Sequence, residues 1–177
     1  MNDKFDYIVV GAGSAGCVIA NRLSKNPKNK VCVIEAGPKD WSPLIHIPAG
    51  FMYNLKNKKL NWMYESEPSW GTKGRSIGIP RGKTLGGSSS INGVVFNRGQ
   101  SMDFNVWAQK GNTGWSYEDV LPYFINMETK IGSGDKGYHG SKGEQIISDL
   151  SWRDPLCDAF VKGANDYGIP YNKDYNG

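Results

Sequence analysis

Over the first 37 residues, short apolar runs alternate with turn and polar stretches. Phe5 to Val10 is an apolar run that stops at Gly11, which predicts a buried strand. Ala15 to Ser24 sets Val18, Ile19 and Leu23 on one face of a predicted helix, and Pro27 follows as a stop signal. Val31 to Glu35 predicts a second buried strand, closed by Gly37-Pro38. Strand, helix and strand in this order predict a β-α-β unit with parallel strands and a right-handed crossover. The fold class is therefore α/β.

The pattern then breaks. Prolines at 38, 43, 48, 68 and 80, with Gly71, Gly74 and Gly78, predict a long irregular excursion to about Arg81. Ser88 to Phe96 reads as a helix opened by a Gly-Gly-Ser-Ser turn. Ser101 to Gln109 reads as a helix with Ser101 as its cap. Ser116-Tyr117-Glu118-Asp119 resembles a capping box, and its helix is expected to kink or split at Pro122 before running to about Glu128. Ile131 to Gly143 is a glycine-rich loop and Gln145 to Ser148 a strand. Asp154-Pro155 opens a last helix that ends at Gly168. Asp174 to Gly177 is turn-like.

Glycine changes the picture most. The chain has 23 glycines in 177 residues, well above ordinary usage, so many backbone positions need positive φ or close approach to a ligand. The net charge of +4 is mild, and the densest basic cluster, Lys56, Lys58 and Lys59, reads as a solvated loop, so no nucleic-acid partner is expected. No apolar run reaches the ~20 residues of a membrane span. Met1 to Val10 carries Asp3 and Asp6 and does not read as a signal peptide. Cys17, Cys32 and Cys157 are odd in number and lack CxxC spacing. They read as free, mostly buried thiols in a reducing compartment, the cytoplasm, with neither a disulfide nor a metal site.

Gly11-Ala12-Gly13-Ser14-Ala15-Gly16 is a GxGxxG lying between the first strand and the helix, the context a dinucleotide fingerprint requires. Gly11 allows the tight turn, Gly13 lets the backbone approach a pyrophosphate, and Gly16 lets helix pack on strand. The helix start offers free N–H groups to phosphates, with Ser14 and Ala15 at that position. Glu35, about 20 residues on, is placed to accept the ribose hydroxyls and to repel a 2′-phosphate. The unit is thus Rossmann-type and binds an ADP moiety. The fingerprint alone does not separate NAD from FAD. The long excursion after Glu35-Ala36-Gly37-Pro38 replaces the short β-α repeats of a plain NAD domain and favours the bulkier FAD.

Pro80 to Gly93 is a second glycine cluster. Gly86-Gly87, followed by Ser88, Ser89 and Ser90, resembles an anion-binding turn, with Arg81 and Lys83 adding positive charge. It is not a P-loop, because no Gly-Lys-Ser/Thr sits at the right spacing.

These stretches together resemble the N-terminal part of the glucose–methanol–choline (GMC) flavoprotein oxidoreductases, the choline- and alcohol-dehydrogenase-like members included. The residues that carry the likeness are Asp6 to Cys17, Glu35 to Pro38, Asn61-Trp62 with Tyr64, Pro80 to Gly93 and Asn97-Arg98-Gly99. Asp103-Phe104 with Trp107, Gly114 to Tyr117 and Leu121 to Phe124 complete it. The resemblance implies diphosphate contacts from Ser14 and Ala15, and a ribose acceptor in Glu35 with Ala36 beside it. It implies Trp62 near the adenine side, and a loop of Thr84, Leu85, Gly87 and Ser88 running past the diphosphate toward the flavin. Asn92, Gly93, Val94 and Val95 are implied to face the isoalloxazine ring. Ile91 stands where some relatives carry a histidine linked to FAD, so FAD is expected to be non-covalent.

The resemblance divides the chain into an ADP-binding unit (1–37), the excursion (38–80), a flavin-side loop and helix (81–100), and helices and loops (101–177). It implies an incomplete N-terminal part, about the first third, of a larger two-domain enzyme. The implied reaction converts an alcohol to an aldehyde or ketone, with hydride passing to flavin N5. The family's base is a histidine farther along than this chain reaches. His46 reads as a packing residue and His139 as an exposed loop residue, so no catalytic residue is assigned. A catalytically inactive FAD-binding fragment, a relative that decarboxylates fatty acids under light, and an NAD dehydrogenase are the alternatives. Neither the alcohol substrate nor an oligomeric state is readable.

Overall fold

A computed structural model describes residues 4–177, so Asp3 lies outside the described residues. The chain divides into two units, one up to Val95 and the other from Phe96 to Gly177.

The first unit opens with β1 (Tyr7–Val10), α1 (Ser14–Ser24) and β2 (Val31–Ile34). β1 and β2 pair in parallel, Tyr7 opposite Val31 through Val10 opposite Ile34. Gly11 N–H donates to the Ile34 carbonyl at 2.7 Å and extends the ladder to the turn. The β-branched run suits the pleat. Burial is less than the apolar runs predict. Val9 is buried, but Ile8, Val10 and Ile34 are exposed, as are Val18 and Ile19 on α1. Among the described residues this sheet has two strands, so nothing there covers its outer positions. The thiols depart from expectation likewise: Cys17 and Cys157 are exposed and Cys32 is half-buried.

The excursion is irregular but hydrogen-bonded. It holds α2 (Pro43–His46), a 3₁₀ turn at Pro48–Gly50, α3 (Phe51–Asn54), β3 (Tyr64–Glu65), a 3₁₀ turn at Trp70–Thr72, and β4 (Gly78–Ile79) antiparallel to β3. Side-chain amides replace a sheet here. Buried Asn61 donates to the Leu55 carbonyl at 2.8 Å, and its Oδ1 accepts from the N–H groups of Met63 and Arg81, each at 3.0 Å. Buried backbone that lacks a ladder must find such partners.

The helix expected over 88–96 is absent. Gly87–Ser90 forms one 3₁₀ turn, and the chain then runs irregularly to Gln100. Ile91 has φ −129°, and Val94 takes φ +58°, where no right-handed helix can continue. Asn92 Oδ1 accepts the Val94 N–H at 3.0 Å and fixes that bend.

The second unit contains α4 (Ser101–Gln109), α5 (Tyr117–Met127), β5 (Glu128–Ile131), β6 (Gln145–Ser148) and α6 (Pro155–Asp166). The α4 cap is Gln100 rather than Ser101, with Asp103 Oδ2 accepting the Gln100 N–H at 2.8 Å. The Ser116 cap is as expected: its Oγ accepts from Asp119 N–H, and Asp119 accepts from Ser116 N–H. α5 runs unsplit through Pro122. Phe104 gathers Trp107, Tyr117 and Phe124 within 5.6–6.1 Å between ring centroids, so aromatic contacts hold α4 to α5 through that point. β5 is not predicted from the sequence. It pairs in parallel with β6, Glu128 opposite Gln145 through Ile131 opposite Ser148. On α6, Asp154 accepts from Leu156 N–H at 2.8 Å and Pro155 takes the first position, as expected. Among the described residues no helix is long and apolar enough to cross a membrane.

Candidate cofactor site

The GxGxxG loop sits at the end of β1 and opens α1. Its three glycines meet three different demands. Gly11 has φ +92°, which the turn requires. A Cβ on Gly16 would come within 1.9 Å of the Gly11 carbonyl oxygen, so helix and loop touch there. A Cβ on Gly13 would meet nothing within 4 Å. Gly13 is thus not needed for packing, and the space beside it is open.

Gly13 caps α1 without a side chain, and the first helical bond is Cys17 N–H to the Gly13 carbonyl at 2.9 Å. The N–H groups of Ser14, Ala15 and Gly16 have no acceptor among the described residues. Their partial positive charge faces outward, as an anion site requires. Glu35 lies just past β2. Its Oε2 accepts Ala12 N–H at 2.8 Å and its Oε1 accepts Gly37 N–H at 2.9 Å. Each oxygen keeps a lone pair for another donor. The carboxylate therefore ties the loop to the strand end and still offers acceptors beside the open space. Ala36 is exposed next to it.

The second glycine turn docks on the first. Gly86 N–H donates to the Ala12 carbonyl at 2.8 Å, and a Cβ on Gly87 would stand 2.8 Å from Gly13 Cα. Thr84 is fully buried, and its hydroxyl donates to the Pro38 carbonyl at 2.8 Å, where Leu85 N–H also donates. The three serine hydroxyls bind the turn itself. Ser88 Oγ accepts Gly82 N–H, while Ser89 and Ser90 donate to the Gly86 and Leu85 carbonyls. Thr84 and the serines are thus engaged in shaping the turn.

Trp62 stacks on Tyr64 with centroids 5.8 Å apart, and the Lys83 ammonium lies 4.5 Å from its ring centre. Asn92, Gly93, Val94 and Val95 are exposed. Phe51, Asn54, Ser90, Asn92 and Val94 border a cavity of about 90 Å³. Buried Asn54 donates to the Leu44 carbonyl at 2.9 Å, and among the described residues its Oδ1 has no partner. The structure thus joins 11–16, Glu35 and 84–88 by direct contacts, and sets Asn92 and Val94 at the cavity. Trp62 is anchored instead by its backbone N–H, which donates to the Arg81 carbonyl at 2.9 Å.

The histidines differ from expectation. His46 is exposed and borders the cavity, with Nε2 2.6 Å from the Asp40 carbonyl, so it is not a buried packing residue. His139 is not an exposed loop residue. Its side chain is 11% exposed, with Nδ1 2.6 Å from Glu128 Oε1 and Nε2 2.6 Å from Asp174 Oδ2. Arg98 Nη2 donates to Glu128 Oε2 at 2.5 Å, and Nη1 donates to the Tyr138 carbonyl at 2.6 Å. Burial pushes the Asp174 carboxyl up, but donors from Asp135, His139 and Asn176 outweigh it and hold it below 3.8. This charged cluster escapes sequence reading because its members are far apart in the chain and form no motif. Among the described residues no group of three or more His, Cys, Asp or Glu could hold a metal ion.

The sequence profile of the GMC oxidoreductase family matches residues 5–177. The chain is 46% identical over 173 residues to an alcohol dehydrogenase (acceptor) of Pseudomonas putida, covering 98% of this chain and 31% of that protein. It is 45% identical over 172 residues to an oxygen-dependent choline dehydrogenase of Rhizobium johnstonii, covering 97% and 31%. Pyridoxine 4-oxidase from Mesorbium loti superposes with a TM-score of 0.89 at 33% identity, covering 98% of this chain and 34% of that one. A formate oxidase from Aspergillus oryzae, a structure concerned with modification of its FAD, superposes with a TM-score of 0.87 at 29% identity, covering 99% and 33%. The chain spans about a third of the length of the relatives it matches.

Proposed function

The chain belongs to the GMC oxidoreductase family, and from that premise we propose that it is the FAD-holding part of an enzyme that oxidises the CH–OH group of a small alcohol. One observation carries the reading: the open space at Gly13, between unpaired helix-start N–H groups and the oriented Glu35 carboxylate. These residues fit the ADP half of FAD. Ser14, Ala15 and Gly16 would donate to the diphosphate, and Glu35 would accept from the ribose. Ala36 and Trp62 would flank the adenosine. The turn of Thr84, Leu85, Gly87 and Ser88 would guide the cofactor toward Asn92, Gly93, Val94 and Val95 at the flavin. Bound FAD would supply a two-electron acceptor for hydride from the alcohol carbon. Ile91 is apolar and 2% exposed, so that position offers no group for a covalent link, which supports non-covalent FAD. Three free thiols support a cytoplasmic setting.

A second reading, an FAD-binding chain without turnover, is favoured by the histidines. His46 Nε2 is held by the Asp40 carbonyl, and both nitrogens of His139 face carboxylates. Neither is placed as a free base, so the proposal assigns no proton-abstracting residue here. The test is anaerobic addition of alcohols, choline among them, to the FAD-loaded protein. Bleaching of the flavin band supports alcohol oxidation. A stable flavin band across the panel supports the binding-only reading.

A further inference from the structure

The diphosphate that the fingerprint loop would hold carries two negative charges, and Glu35 adds another beside it. From Val9 to Cys17 no side chain is positive. Helix-start N–H groups supply only partial charge. Any full positive charge at the site comes from another segment. Residues 83–87 touch the loop region at three points. The Lys83 carbonyl lies against Gly37, where a Cβ would come within 2.0 Å of its oxygen, and Gly37 N–H is the donor that holds Glu35. Gly86 N–H meets Ala12, and Gly87 rests on Gly13.

Lys83 is half-buried, with its own N–H held by the Leu60 carbonyl at 2.8 Å. Its ammonium sits over the Trp62 ring, and among the described residues no carboxylate pairs with it. An indole face attracts a cation without neutralising it, so the charge stays available. The neighbouring cations are placed differently. Arg81 is exposed and donates to the Pro80 carbonyl, and Lys39 is exposed over Trp41. We propose that Lys83, held on the face of Trp62, is the cation that pairs with the cofactor diphosphate, with Trp62 as its positioning residue. This rests on the reading of the fingerprint loop as an FAD site.

The test is titration of the purified protein with FAD, ADP and adenosine, followed by tryptophan fluorescence and calorimetry. Wild-type protein is expected to bind FAD and ADP, and ADP affinity should fall as salt rises. Lys83→Met keeps the aliphatic stem and loses the charge. It is expected to weaken FAD and ADP roughly 10-fold while leaving adenosine unchanged, with a flatter salt dependence. Lys83→Arg should recover most of the loss, and Lys39→Met should change little. Circular dichroism checks that each variant folds, and the wild-type salt dependence stands without any variant. Unchanged ADP affinity in Lys83→Met would overturn the proposal, and so would equal losses for ADP and adenosine, since Lys83 would then act only through Trp62. Wild-type protein that binds neither FAD nor ADP would overturn the underlying cofactor reading instead.

Discussion

Gly87 rests on Gly13 so closely that a Cβ on Gly87 would stand 2.8 Å from Gly13 Cα. The two glycine turns, distant in sequence, are one interlocked surface, and the open side of Gly13 is the side that Gly87 leaves free. Gly87 also has φ +55°. Gly87→Ala therefore meets both a backbone clash and an unfavourable conformation, and is expected to cost about 1–3 kcal/mol. Urea unfolding measures it, and an unchanged midpoint would contradict the interlock.

Glu35 does structural work before any ligand arrives. Glu35→Ala leaves the N–H groups of Ala12 and Gly37 without their acceptor, at an expected cost of about 1–3 kcal/mol. It should also weaken FAD. A variant that binds FAD poorly at full stability would show Glu35 to be a ligand contact only.

Much of the first unit was legible because its signals are local. The fingerprint and the paired strands β1 and β2 follow from spacing and turn chemistry, as do the Ser116 and Asp154 caps of the second unit. The Gly-Gly-Ser-Ser turn reads as the start of a helix over 88–96, whereas the Val94 φ of +58° is set by the Asn92 side chain, which no turn signal reports. The docking of Gly86 and Gly87 on Ala12 and Gly13 is a long-range packing fact that no period reports. β5 and the Arg98–Glu128–His139–Asp174 cluster are not legible in the sequence because a charged Glu128 at a strand start looks solvated until its distant partners are known.

Glu128 is fully buried and accepts from Arg98, itself 3% exposed. Glu128→Gln leaves the Arg98 guanidinium without its counter-charge, and is expected to destabilise the second unit by about 3–5 kcal/mol. Chemical denaturation followed by circular dichroism checks this. A loss below about 1 kcal/mol would mean that water already screens the pair.

Acid should loosen the second unit over a defined window. The Lys130 hydrogen bond, with donors from Ser133, lowers the Asp149 carboxyl from 3.8 to about 2, and Asp174 also lies below 3.8. A carboxyl with a folded pKa below its unfolded value stabilises above the unfolded value. That contribution is lost as pH falls through the folded value. Unfolding midpoints should therefore be flat above about pH 4 and decline toward pH 2, with a shallower decline in Asp149→Asn. Identical profiles for that variant and wild type would count against the Lys130–Asp149 pairing.

The central claim is that the space beside Gly13 is the FAD diphosphate site. Gly13 has φ −77° and open room for a Cβ, so Gly13→Ala should fold with a stability within about 1 kcal/mol of wild type. Titrating both proteins with FAD is the direct measurement. The prediction is binding by wild type and at least roughly 10-fold weaker binding by Gly13→Ala, whose methyl group takes the cofactor's place. Equal FAD affinity in the two proteins would contradict it.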